Sequence, residues 1–259
     1  MDLQQGTPAW FAARRNRLTA SNFGAAAGVN PYASRNKALK QLRGEEEFTG
    51  NAACTWGTVN EPNAVTDYMI RTGNVVRTSG FHVHPHYSWL GGSPDGLVGE
   101  RGMIEVKCPY KNMEPHAGVP VWYYCQVNGL MEILDRDWCD FVTWTPQKMR
   151  IYRVYRDTEL FNWLFIRYQL FYACMKRGTD YLPNQTRGEK AEVMSRIEAS
   201  NRRTRHDFWD ALDPNLTKEW WPVPPYDLFM YEDSDEGSDG TSPIRKLRRL
   251  DCATRPATS

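Results

Sequence analysis

No run of eighteen apolar residues occurs in this 259-residue sequence, which excludes an ordinary membrane-spanning helix. The start, Met1-Asp2-Leu3-Gln4-Gln5-Gly6, has neither a basic segment nor an apolar one, so no secretory signal is visible. Cys54, Cys108, Cys125, Cys139, Cys174 and Cys252 are scattered without a Cys-x-x-Cys pair. The common zinc and redox motifs are therefore missing, and reduced thiols in an intracellular protein are expected. A charge excess of either sign is lacking too, the formal net charge being +1. That balance neither demands nor forbids a nucleic acid, because positive charge can be concentrated in a channel. Aromatics, by contrast, are plentiful: ten Trp and thirteen Tyr. The length suffices for one α/β domain with a sizeable core, or for two small ones.

The chemistry gathers in Gly91-Gly92-Ser93-Pro94-Asp95-Gly96-Leu97-Val98 and in Met103-Ile104-Glu105-Val106-Lys107-Cys108-Pro109. In the second stretch Ile104, Val106 and Cys108 alternate with Glu105 and Lys107, the pattern of a half-buried strand. Glu105 and Lys107 then share a face. Ser93-Pro94-Asp95-Gly96 carries turn chemistry, with Pro presetting φ and Gly permitting φ > 0. Such a turn would bring Asp95 round to the strand bearing Glu105. Two carboxylates and an amine on one sheet face suit a hard divalent cation such as Mg²⁺. Asp95 and Glu105 would supply oxygens, with the Val106 carbonyl as a further ligand. Lys107 beside a metal-bound water would favour its hydroxide form and offset charge on an attacked phosphate. A bare Glu-x-Lys is more simply an ion pair on a solvated face.

The spacing Asp95-x(9)-Glu105-Val106-Lys107 resembles the PD-(D/E)xK nuclease motif. The strings from Ser93 to Leu97 and from Glu105 to Pro109 are similar to the phage lambda exonuclease branch, the YqaJ-type viral recombinases. The resemblance covers roughly residues 8–175. It implies a restriction-endonuclease-like α/β fold, a central mixed β-sheet flanked by helices. It further implies an Mg²⁺-dependent DNA exonuclease, with Mn²⁺ as a substitute, acting on double-stranded DNA ends. Resection from 5′ to 3′ would leave 3′ single strands for recombination. A single-strand annealing partner and a ring-shaped homotrimer are also family properties, although no feature of this sequence specifies them. Three alternatives stay open: an endonuclease of the same superfamily, an RNA-cleaving enzyme, and a DNA-binding recombination factor with a vestigial site. The intact Asp95, Glu105 and Lys107 argue against the last.

Further site residues follow from the same resemblance. Thr7-Pro8 starts a helix carrying Trp10 and Arg14, and Ser21 caps a second small helix through Gly28. Arg14, Thr19 and Ser21, joined by Ser93, match the residues that form a 5′-phosphate pocket in the family. A guanidinium fork with hydroxyls suits a phosphate, though Arg14 also reads as a surface residue and Ser21 as a cap. Residues 52–72 fit a helix imperfectly, with a kink or restart expected at Pro62. Glu61 in that helix is a third carboxylate, touching metal directly or through water, or else an ordinary first-turn glutamate. Pro120 opens a helix through Leu134. There Tyr124-Cys125-Gln126-Val127-Asn128 resembles the family's Q-x-Q helix, so Gln126 assists at the site while Asn128 departs from the pattern.

Phe81 to His86 reads as a strand with His82, His84 and His86 on one face. Zinc is disfavoured because Pro85 disrupts the strand and no acidic or Cys ligand lies close. Tyr110, Lys111 and His116 form a polar segment suited to DNA backbone. Residues 138–145 and 149–155 make a hairpin turning at 146–148, and Asp157 caps an aromatic-faced core helix to Arg177. A charged helix is expected over 189–203 and an aromatic, Pro-rich segment over 208–230, giving one domain over 1–231. Residues 232–259 have a disordered composition. Their basic cluster, Arg245-Lys246-Leu247-Arg248-Arg249, favours the nucleus over the cytoplasm, and Ser242-Pro243 fits proline-directed phosphorylation.

Overall fold

The structure, a computed structural model, describes residues 3–46, 50–110, 114–178 and 182–207. Lys111, the segment over 208–230 and the tail over 232–259 lie outside the described residues. Thr7 starts the first helix as predicted: its hydroxyl accepts from the Trp10 amide at 3.2 Å, and α1 runs Pro8–Arg14. β1 (Leu18–Thr19) passes into a 3₁₀ turn (Ala20–Asn22) and the short α2 (Phe23–Ala26). Ser21 does not cap α2. It sits inside the 3₁₀ turn, and its hydroxyl meets Thr19 Oγ1 at 3.1 Å instead.

α3 (Arg35–Arg43) is capped by Ser34 and closed by Gly44 at φ 75°. α4 (Ala52–Thr72) runs unbroken through Pro62, so the helix does not restart there. Ala64 and Tyr68, both fully buried, anchor the half after Pro62 on the sheet. Packing there outweighs the one backbone bond that Pro removes.

Six strands build the main sheet: β2 (Val76–Arg77), β5 (Gly96–Val98), β6 (Gly102–Lys107), β7 (Trp138–Thr145), β8 (Lys148–Tyr155) and β9 (Arg205–Asp207), in that spatial order. Among the described residues β6 and β7 alone pair in parallel within it, so the sheet is mixed. A smaller sheet, β1-β4-β3, adds β3 (His82–Val83) and β4 (Leu90–Gly92). β3 is shorter than the predicted strand, and the three histidines do not act as one row. His82 bonds Ser79, while His84 is buried against Phe161 and Tyr87.

Ser93 to Gly96 carries the chain from β4 of the small sheet to β5 of the main one. The chain reverses between β5 and β6, where Gly99 adopts φ 55°. Gly96 pairs with Ile104, which carries Asp95 alongside Glu105. Glycine is required just upstream: a Cβ at Gly91 would fall 2.4 Å from the Phe81 ring, and one at Gly92 2.5 Å from Leu130.

β6 is covered on both faces rather than one. Ile104 and Val106 pack with Ala64 and Tyr68 of α4. Met103 and Phe141 join the larger core with Leu130 of α5 (Val121–Leu134) and with Phe161, Tyr168 and Phe171 of α6 (Thr158–Arg177). The aromatic face of α6 is thus core, as expected. α7 (Arg187–Thr204) opens with a capping box formed by Thr186 and Glu189, and the chain continues directly into the edge strand β9.

Candidate active site

The alternation along β6 turns Glu105 and Lys107 toward α5, where Glu105 is 1% exposed. One carboxylate oxygen, Oε1, accepts from Lys107 Nζ at 2.5 Å and from Gln126 Nε2 at 2.6 Å. The other, Oε2, is buried and has no hydrogen-bond partner. This is not an ion pair on a solvated face. Asp95 is fixed from the β5 side, its Oδ2 accepting from the Val106 amide at 2.6 Å. Glu61, half-buried midway along α4, faces the same charges.

The electrostatics reflect three acids crowded round one ammonium. Burial pushes the Glu105 carboxyl up to about 8, the charge of Asp95 adds to the rise, and Lys107 opposes it. Burial and then repulsion from Asp95 raise Glu61 to about 7, again against Lys107. Asp95 is raised by burial, with Lys107 and the Val106 amide pulling down. For Lys107, burial alone would lower the proton affinity, but Glu105 and Asp95 reverse the sign and hold it charged. Its ammonium also lies 4.9 Å from the centroid of the Tyr123 ring. No motif in the sequence marks Tyr123. Its one available signal was the three-residue spacing from Gln126, which puts both on one face of α5.

The site suits a hard cation. An unpartnered buried carboxylate oxygen is a costly arrangement that a positive ion relieves. Two carboxylates and a main-chain carbonyl are also the donor type that Mg²⁺ selects. Among the described residues, no three His, Cys, Asp or Glu side chains are grouped so as to hold an ion by themselves. Glu61 therefore enters as a charged neighbour, with no ligand contact assigned to it.

The predicted phosphate pocket forms two contact pairs. Trp10 Nε1 donates to Ser93 Oγ at 2.8 Å, and the Arg14 guanidinium lies over the Trp10 ring at 4.2 Å. Separately, Thr19 Oγ1 meets Ser21 Oγ and accepts from Asn22 Nδ2 at 3.0 Å. Thr19 is paired with Gly91 in the β1–β4 register, two residues before Ser93, which is itself two residues before Asp95. His116, from the polar segment, packs its ring against Tyr123 and Phe141.

With this geometry in hand, the chain can be set beside known proteins. The sequence model of the YqaJ-like viral recombinase domain matches residues 9–137. The crystal structure of an alkaline exonuclease, LHK-Exo, from Laribacter hongkongensis is 30% identical, with a TM-score of 0.54; the match covers 76% of this chain and 97% of that one. LHK-Exo in complex with dAMP matches over the same shares at 30% identity, with a TM-score of 0.55. No curated protein matches this sequence. The mixed sheet flanked by helices is shared with the alkaline exonuclease.

Proposed function

The chain belongs to the YqaJ-like viral recombinase family, and from that premise we propose that it is a metal-dependent DNA exonuclease that resects duplex ends from 5′ to 3′. One observation carries the reading: buried Glu105 gives one oxygen to Lys107 and Gln126 and leaves the other without a partner beside Asp95. Asp95, Glu105 and the Val106 carbonyl would hold Mg²⁺, with Mn²⁺ as a substitute. Such an ion, when bound, lowers the pKa of water and polarises a phosphoryl oxygen.

The chain's own groups have separable tasks. Gln126 and Lys107 occupy Oε1 and so fix the carboxylate orientation. Lys107, whose proton affinity Glu105 and Asp95 raise, would offset charge on an incoming phosphate and favour the hydroxide form of a metal-bound water. Glu61 adds negative charge that strengthens cation binding. Arg14, Ser93, Thr19 and Ser21 provide a guanidinium fork and hydroxyls for a terminal 5′-phosphate, which has more charge and more free oxygens than an internal diester.

An end-binding pocket distinguishes an exonuclease from an endonuclease with the same metal site. Wild-type protein with Mg²⁺ is expected to digest 5′-phosphorylated linear duplex faster than 5′-hydroxyl duplex and to leave closed circles intact. Arg14→Ala should remove most of that preference. Rapid cutting of closed circles, or equal rates on both kinds of end, would overturn the exonuclease reading and leave the metal site untouched.

A further inference from the structure

Among the described residues Lys107 has one ion-pair contact, with Glu105 Oε1, and that oxygen also serves Gln126. A single contact at the tip of a four-carbon stem leaves an ammonium free to swing about its partner. Tyr123 supplies a second contact from a different direction, with Lys107 Nζ 4.9 Å from its ring centroid. The ring is itself wedged. Trp122, His116 and Phe141 have ring centroids 5.6, 5.7 and 5.8 Å from it. His116 is in turn pinned to the sheet through its main chain: its amide donates to Thr143 Oγ1 at 3.1 Å, and its carbonyl accepts from the Tyr152 hydroxyl at 3.0 Å.

We propose that Tyr123 is the positioning residue for Lys107, its ring face holding the ammonium beside Glu105 where a scissile phosphate would be met. The role rests on the nuclease reading for its consequence, but not for its geometry. A ring face attracts a cation through its quadrupole, and the hydroxyl takes no part. Phenylalanine should therefore serve, whereas a side chain of similar bulk without a π-face should not.

The test uses the full-length protein and two readouts. The first is acylation of Lys107 by an amine-reactive ester, followed by peptide mass spectrometry. Tyr123→Met should raise Lys107 labelling at least fivefold relative to the other lysines, while Tyr123→Phe stays within twofold of wild type. The second is cleavage of linear 5′-phosphorylated duplex with Mg²⁺. Tyr123→Met should lower kcat about tenfold or more with KM nearly unchanged, Tyr123→Phe should retain most activity, and Lys107→Ala with Tyr123→Met should be no slower than Lys107→Ala alone. Should the Met variant fail to melt cooperatively, pentafluorophenylalanine at position 123 keeps the shape and reverses the ring's charge pattern, and it should behave as Met is expected to. Unchanged Lys107 labelling, additive losses in the double variant, or a Phe variant as damaged as Met would overturn the proposal. A protein that cuts no DNA would overturn the nuclease reading alone, since labelling needs no activity.

Discussion

Glu105 shows how much a single side chain must be supported before it can act. Its burial raises its proton affinity, and Lys107 and Gln126 compensate on one oxygen while the other has no hydrogen-bond partner. Removing Lys107 should subtract a preorganised charge and take from buried Glu105 its ion-pair partner. Lys107→Ala is expected to slow cleavage by about two to four powers of ten, about 3–5 kcal/mol of barrier, with DNA affinity near wild type. A loss under threefold, measured under single-turnover conditions, would remove Lys107 from the chemistry. Alternation along a strand puts Glu105 and Lys107 on one face, and the resemblance to the nuclease motif singles them out together with Asp95. Tyr123 was not legible, since a cation over a ring has no sequence signature in a chain with thirteen tyrosines.

At the scale of elements, the sequence gives type and extent well and connections less well. Caps at Thr7, Ser34 and Asp157 declare their helices because a side-chain oxygen must meet a free amide there. Ser93-Pro94-Asp95-Gly96 has turn composition yet serves as a passage between two sheets, a long-range outcome that local chemistry cannot encode. β9 was invisible for a similar reason: Arg205–Asp207 is polar and becomes a strand only by pairing with β8. The element most dependent on one residue is α6. Asp157 accepts from the Leu160 amide at 3.0 Å, and Ser200 and Arg203 of α7 donate to its other oxygen, tying the two helices together. Burial alone would raise the Asp157 carboxyl, but the bonds from Ser200, Leu160 and Arg203 outweigh it and hold it below the usual value. A depressed folded pKa gives stability that is present above the unfolded value of about 3.9 and is lost as pH falls through the folded one. Asp157→Ala should therefore lower stability by about 2–3 kcal/mol at pH 7 and flatten the acid limb of the melting profile below pH 4. Parallel acid limbs for variant and wild type in circular-dichroism melts would contradict this.

For the molecule as a whole, the fold acts as a frame that brings distant stretches to one end of β6. α4 supplies Glu61 from one face, α5 supplies Gln126 and Tyr123 from the other, and β5 carries Asp95 alongside. The small sheet then links Thr19 to Gly91, and Ser93, bonded to Trp10, lies two residues before Asp95, which connects the proposed end pocket to the proposed metal site. A mixed sheet flanked by helices was expected from the family resemblance of the segments around Asp95 and Glu105, and the six-stranded sheet agrees. The second sheet was not legible, because its strands are two or three residues long. Among the described residues no helix is long and apolar enough to cross a membrane. The most direct single measurement compares wild type with Glu105→Gln on end-labelled, 5′-phosphorylated linear duplex, each with Mg²⁺ and with chelator. The prediction is steady release of 5′ nucleotides only by wild type with Mg²⁺, while Glu105→Gln binds the duplex normally and cleaves at least a thousandfold more slowly. Cleavage by Glu105→Gln at a rate near wild type, or cleavage by wild type undiminished by chelator, would contradict a metal-dependent nuclease centred on Glu105.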